Sequence, residues 1–139
     1  MNVLPAYLDA SAIVKLVKAE PESDALISTL AQWPDRVTVA LARVELHLSL
    51  RRIGASRAEH ARADAVLSGL VLVRLDDAVL ARAAALKDRN LRTLDAIHLA
   101  AALTLGDDPD AFITYDARLA RAAERERLPV MHPGAARLE

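Results

Sequence analysis

Leu91-Arg92-Thr93-Leu94-Asp95-Ala96-Ile97-His98-Leu99-Ala100-Ala101-Ala102-Leu103 places an acid where a helix would bury carbon. Counting from Leu91 by helical offsets gives Leu94, Asp95, His98, Leu99 and Ala102 on one face. On that reading Asp95 points inward. A desolvated carboxylate must be paired, protonated or bound to a cation, so another part of the chain has to answer it.

The bounds are set by composition. A chain of 139 residues, 53% hydrophobic and 27% charged, suits one globular domain over residues 1–139. There is no cysteine, which removes disulfide frameworks and thiolate metal sites. His47, His60, His98 and His132 form no pair at i, i+4, so a zinc site is not expected. Met1-Asn2-Val3-Leu4-Pro5 leads into a strand without a basic segment and apolar run, and no apolar stretch reaches the length of a membrane span. A cytoplasmic protein with no membrane partner is expected. With 18 basic against 19 acidic residues, contact with nucleic acid must come from local arginine clusters.

Strands alternate with helices along the chain. Val3–Leu8 reads as a buried strand ending at Asp9, and Ser11 caps a helix with Ile13, Leu16 and Val17 as its apolar stripe. A second helix starts at Pro21 and runs to about Leu30. Val37–Ala40 is the next strand, and Leu41–Arg52 the next helix, with Leu41, Val44, Glu45 and Leu48 on its inward face. Gly54 closes that helix, and Ser56-Arg57-Ala58-Glu59 is a capping box. Leu70–Leu75 is a third strand; Asp76-Asp77 caps a helix through Lys87, and Thr93 caps the helix bearing Asp95. Ala111–Tyr115 forms a fourth strand with Asp116 at its end, Ala117–Arg127 an arginine-rich helix, and Val130-Met131 a short last strand. This alternation implies an α/β fold with a parallel sheet wrapped on both faces.

Asp9 and Asp116 end strands, while Glu45 and Asp95 lie on inward helix faces, so all can converge at the carboxyl edge of the sheet, where such folds bind ligands. Two like charges about 4 Å apart repel by roughly 4 kcal/mol at an effective dielectric of about 20, and a cluster of acids therefore calls for protons or cations. Oxygen ligands without His or Cys favour Mg2+ or Mn2+ completed by a substrate phosphate. Such a site suits phosphodiester hydrolysis by a metal-activated water. Taken singly, Asp9 and Asp116 are ordinary helix caps, Asp95 an acid on a helix dipole and Glu45 a surface acid; it is their joint occurrence that points to a metal.

Tyr7-Leu8-Asp9-Ala10-Ser11-Ala12-Ile13-Val14-Lys15-Leu16, Leu94-Asp95-Ala96-Ile97-His98-Leu99-Ala100 and Ile113-Thr114-Tyr115-Asp116-Ala117-Arg118-Leu119 resemble the three acidic motifs of the PIN-domain family, and within it the VapC toxins of toxin–antitoxin pairs. The resemblance covers nearly the whole chain. It implies a three-layer domain with a central parallel sheet of about five strands, and a Mg2+-dependent endoribonuclease that acts as a homodimer and is neutralised by a VapB-type antitoxin. By position it implies Asp9, Asp95 and Asp116 as metal-binding acids, Glu45 as a fourth, and Ser11 and Thr114 as hydroxyls that orient them. An antitoxin segment is expected to reach the acids with a basic side chain.

Arg118, Arg121 and Arg125 recur at helical spacing beside Asp116, as a phosphate grip or a solvated face. His98 reads as a hydrogen-bonded core histidine and is left out of catalysis. A housekeeping RNase that matures RNA shares the same chemistry. A Mg2+-binding receiver module needs paired acids after the first strand and a lysine after the last, and neither is present. A phosphate-cradling nucleotidase lacks its glycine-rich loop.

Overall fold

A computed structural model describes residues 4–139, so the expected strand start at Val3 lies outside the described residues. Five short strands, β1 (Ala6–Leu8), β2 (Arg36–Val39), β3 (Val71–Val73), β4 (Ala111–Ile113) and β5 (Val130–Met131), form one parallel sheet in the order β3-β2-β1-β4-β5. Every neighbouring pair is parallel, and Leu8 stands in register with Ile113. The chain moves from β1 through β2 to β3 on one side, then returns to lay β4 and β5 on the other. The order thus reverses between β1 and β4, the point at which open sheets form a crevice.

Side chains alternate across the sheet. Ala6, Leu8, Ala111 and Ile113 face a core shared with α1 (Ala10–Val17), α2 (Ser23–Leu30), α3 (Ala42–Arg52) and α4 (Arg57–Ser68). Tyr7, Val37, Val39 and Phe112 face the opposite core, built with α5 (Asp77–Ala84), α6 (Thr93–Leu103) and α7 (Ala117–Arg125). Both faces are covered, which is why the central strands read as unbroken apolar runs and why three layers result. Among the described residues, no helix is long and apolar enough to cross a membrane.

Local chemistry sets most helix ends. Ser56 Oγ accepts from Glu59 N–H while the Glu59 carboxylate accepts from Ser56 N–H, the expected capping box. Gly54, at φ +67°, takes the left-handed conformation that terminates α3. Two caps differ from expectation: Asp9, not Ser11, caps α1, and α6 is entered through Arg92 in extended conformation, with Thr93 as its first helical residue. The helix after Asp76 also ends early, at Ala84.

The largest correction concerns the phase of α3. Ala42, Leu46 and Leu50 are buried against α1 and α4, whereas Val44 and Leu48 are 53% and 41% exposed. Both sets follow helical spacing, and contact with two neighbouring helices decides between them. Leu94 likewise faces outward, while Asp95, His98, Leu99 and Ala102 are buried as the spacing requires.

Candidate active site

Asp9 leaves the carboxyl end of β1 and is almost wholly buried. Its Oδ1 accepts from Ala12 N–H at 3.0 Å and Ser11 Oγ at 2.7 Å, and its Oδ2 accepts from Thr114 Oγ1 at 2.7 Å. Burial raises the Asp9 carboxyl above its ordinary value, against the opposing pull of His98 and these hydroxyl donors. Ser11 Oγ in turn accepts Tyr115 N–H, and Thr114 Oγ1 accepts Asp116 N–H. The two hydroxyls therefore stitch the ends of β1 and β4 together at the switch point.

Asp116 caps α7, its Oδ1 accepting from Arg118 N–H and Leu119 N–H. Asp95 sits in the first turn of α6, 7% exposed, and its Oδ2 is buried without a hydrogen-bond partner among the described residues. Burial raises the Asp95 carboxyl, and the nearby Asp116 carboxylate raises it further. An orphaned buried carboxylate oxygen costs free energy unless something positive satisfies it.

Glu45 reaches the site from the first turn of α3 and accepts from His98 Nε2 at 2.7 Å. His98 Nδ1 lies 2.8 Å from the Tyr7 hydroxyl. Burial alone would lower the His98 imidazole, but the Glu45 hydrogen bond and charge, backed by Asp9 and Asp95, hold it above its ordinary value. Sequence reasoning misses this link to the acids; the signal it had was the place of His98 one turn after Asp95, on the same buried face.

Asp9, Glu45, Asp95 and Asp116 line one open cavity of about 680 Å³ together with Ser11, His98, Arg92, Arg118 and Arg121. Thr114 stands behind its wall, bonded to Asp9. Arg118 and Arg121 also line an adjoining cavity of about 440 Å³ with Asn90 and Arg125, so exposed cations lead away from the acids along α7. Arg43, Arg51 and Arg52 lie outside the lining of both. The four acids share the cavity without forming a closed cage: among the described residues, no three His, Asp or Glu side chains are grouped as a ready-made metal site. Asp9, Glu45 and Asp116 each turn an oxygen onto a protein donor. Asp95 Oδ2 does not.

The profile of the PIN domain family matches residues 6–125, a span that holds all four acids. The chain belongs to the PIN-domain family. As a PIN domain it is 46% identical over 127 residues to ribonuclease VapC46 of Mycobacterium tuberculosis, covering 91% of this chain and 96% of that protein. It is 41% identical to ribonuclease VapC35 of the same species, over 94% of this chain and 98% of the relative. Among solved structures, VapC20 of M. tuberculosis, described as a sarcin-ricin loop cleaving toxin, superposes with a TM-score of 0.68 at 18% identity, over 84% of this chain and 94% of that one. VapBC2 of Rickettsia felis, solved with a promoter DNA fragment, gives 0.69 at 12% identity, over 94% of this chain and 99% of that one. At those identities the structural likeness speaks for the PIN fold alone.

Proposed function

We propose that this chain is the toxin of a type II toxin–antitoxin pair: a single PIN domain acting in the cytoplasm as an endoribonuclease that depends on Mg2+, or Mn2+ in its place. Asp9, Asp95 and Asp116 would hold the ion, with Glu45 beside them. The observation that carries this reading is the buried, partnerless Asp95 Oδ2 in a cavity with three further carboxylates. An all-oxygen donor set fits a hard divalent cation, and such a cation would supply the missing partner. Two relatives above 40% identity named as ribonucleases, VapC46 and VapC35, support the choice of RNA.

When bound, the ion would polarise the phosphoryl group and activate water for attack. The protein's own part is positioning. Ser11 and Thr114 hold Asp9 in one rotamer with its oxygens toward the cavity edge of β1 and β4. Arg118 and Arg121, exposed on α7, bind substrate phosphates and carry the strand away from the acids. The R. felis structure is that of a VapBC pair, and a VapB-type antitoxin here would place a basic side chain among the carboxylates. Val44 and Leu48, apolar and exposed on the helix that bears Glu45, offer that partner or a second copy in a homodimer an adjoining apolar contact.

The test is cleavage of a panel of structured RNAs with Mg2+, with EDTA, and by Asp95→Asn. Cleavage by the wild type only with the metal, and none by a folded Asp95→Asn, is expected. Equal cutting by the variant would sink the assignment.

A further inference from the structure

The four acids are not held alike. Asp9 and Asp116 are fixed by backbone N–H groups at helix starts, and Asp95 is buried in the first turn of α6 beside the Arg92 backbone N–H. Glu45 has the longest side chain of the four and, among the described residues, no backbone anchor and one hydrogen bond, to His98. Behind His98 stands Tyr7, fully buried on β1 and stacked on Phe112 with ring centroids 5.1 Å apart and planes 4° from parallel. We infer that Tyr7 and His98 form a brace that positions the Glu45 carboxylate at the cavity, with His98 as a positioning residue acting through Glu45.

The proton arrangement follows from the partners. A carboxylate only accepts, so His98 Nε2 carries the hydrogen that Glu45 Oε1 receives, at 2.7 Å. In the neutral ring Nδ1 is then an acceptor, and the Tyr7 hydroxyl, 2.8 Å away, donates to it. If the ring is charged, Nδ1 donates to Tyr7 instead and the bond to Glu45 is unchanged. The brace therefore holds in either charge state. It also ties three site-bearing elements together: β1, which leads to Asp9; α6, which carries Asp95 and His98; and α3, which carries Glu45. One oxygen of Glu45 is pinned and the other is left for a ligand.

A histidine that only filled the core would matter for stability and not for the acid it touches. The inference rests on the metal-dependent reading above, and the experiment separates the two. Mn2+ binding to the RNA-free protein is measured by titration calorimetry, alongside RNA cleavage kinetics, for His98→Leu, His98→Gln, Tyr7→Phe, Glu45→Gln and the His98→Leu/Glu45→Gln pair. His98→Leu is expected to weaken Mn2+ binding by about 10- to 100-fold, the usual effect of removing a group that orients a ligand, and to lower kcat with KM for RNA unchanged. His98→Gln, whose amide can donate to Glu45, recovers most of both. Tyr7→Phe keeps the stack on Phe112 and loses a few-fold. In the Glu45→Gln background His98→Leu adds nothing. Wild-type Mn2+ affinity in His98→Leu, or losses that add to those of Glu45→Gln, overturn the brace; if His98→Leu does not fold, unchanged affinity in Tyr7→Phe does so. A wild type that binds Mn2+ and cleaves RNA while these variants match it defeats the brace alone. A wild type that binds no Mn2+ defeats both.

Discussion

Thr114 Oγ1 donates to Asp9 Oδ2 at 2.7 Å, joining the ends of β4 and β1 across 105 residues of sequence. The same hydroxyl accepts Asp116 N–H at 3.0 Å, so a single oxygen relates two of the acids. Thr114→Val keeps the shape and removes both bonds. It is expected to cost about 1–3 kcal/mol in stability, as for a buried group left unsatisfied, and to slow RNA cleavage by about 10- to 100-fold, with Thr114→Ser restoring most of each. Thermal melts and single-turnover cleavage read the two effects. Wild-type cleavage by Thr114→Val would show that the hydroxyl does not support Asp9.

Asp95 makes the opposite case, an acid whose burden is visible in the fold. Its Oδ2 is buried and unpartnered, and its neighbour Asp116 is also an acid. Asp95→Asn removes the charge while keeping the shape. Metal-free protein is expected to melt higher at neutral pH, because a desolvated charge beside the Asp116 carboxylate is removed, while losing cleavage. Mn2+ should raise the melting temperature of the wild type and leave that of the variant unmoved. A variant that melts lower than metal-free wild type would mean that Asp95 is satisfied in solution.

The parts of this fold legible in the sequence are those fixed by neighbours a few residues away. Asp9 and Asp116 follow strands, Asp116 caps the helix after it, Ser56 and Glu59 close a capping box, and the apolar runs around Tyr7 and Phe112 announce strands covered on both faces. The phase of α3 was not legible. Val44 and Leu48 are as apolar as Leu46 and Leu50, and only the approach of α1 and α4 chooses between the two faces. Glu45 flanks the buried stripe of Ala42, Leu46 and Leu50, and in this phase it lines the cavity. The link from His98 to Glu45 spans 53 residues and two helices, and no periodicity within either helix encodes it.

Arg118, Arg121 and Arg125 are exposed along α7, and the first two line both adjoining cavities. Arg125 is already engaged by Asp88 at 2.6 Å, which leaves Arg118 and Arg121 the freer cations of the row. Arg121→Ala is expected to raise KM for RNA several-fold with little change in kcat. It should also reduce the salt dependence of RNA binding by about one released counterion. Binding is measured on the Asp95→Asn background so that cleavage does not intervene. An unchanged salt slope would place the RNA elsewhere.

Three surface carboxylates are held below their ordinary values: Glu22 by the Lys15 ammonium, Glu59 by the Ser56 backbone N–H, and Asp88 by the Asn90 backbone N–H and then Arg125. A lowered native value means that the stabilisation is present above the ordinary carboxylate value of about 4 and is lost as pH falls through the native one. Denaturation midpoints should therefore drop on acidification from about pH 5 to about pH 3 more steeply in the wild type than in a Glu22→Gln/Glu59→Gln/Asp88→Asn variant. The comparison is a difference between two proteins that share Asp9 and Asp95, whose raised values act with the opposite sign and cancel. Parallel curves would show that these contacts do not persist in solution.

The phase of α3 can be settled by two truncations on one helix. Leu46 is fully buried between α1 and α4, and Leu48, two residues on, is 41% exposed. Leu46→Ala removes a buried side chain and leaves a cavity, so a loss of about 2–5 kcal/mol is expected. Leu48→Ala removes little that is buried in the isolated chain and should stay within about 0.5 kcal/mol. Urea denaturation of the two variants reads the difference directly. Because Glu45 sits on the same helix, a rotation that buried Leu48 would also swing its carboxylate away from His98. Equal losses at both positions would thus unseat the α3 register and, with it, the place of Glu45 in the cavity.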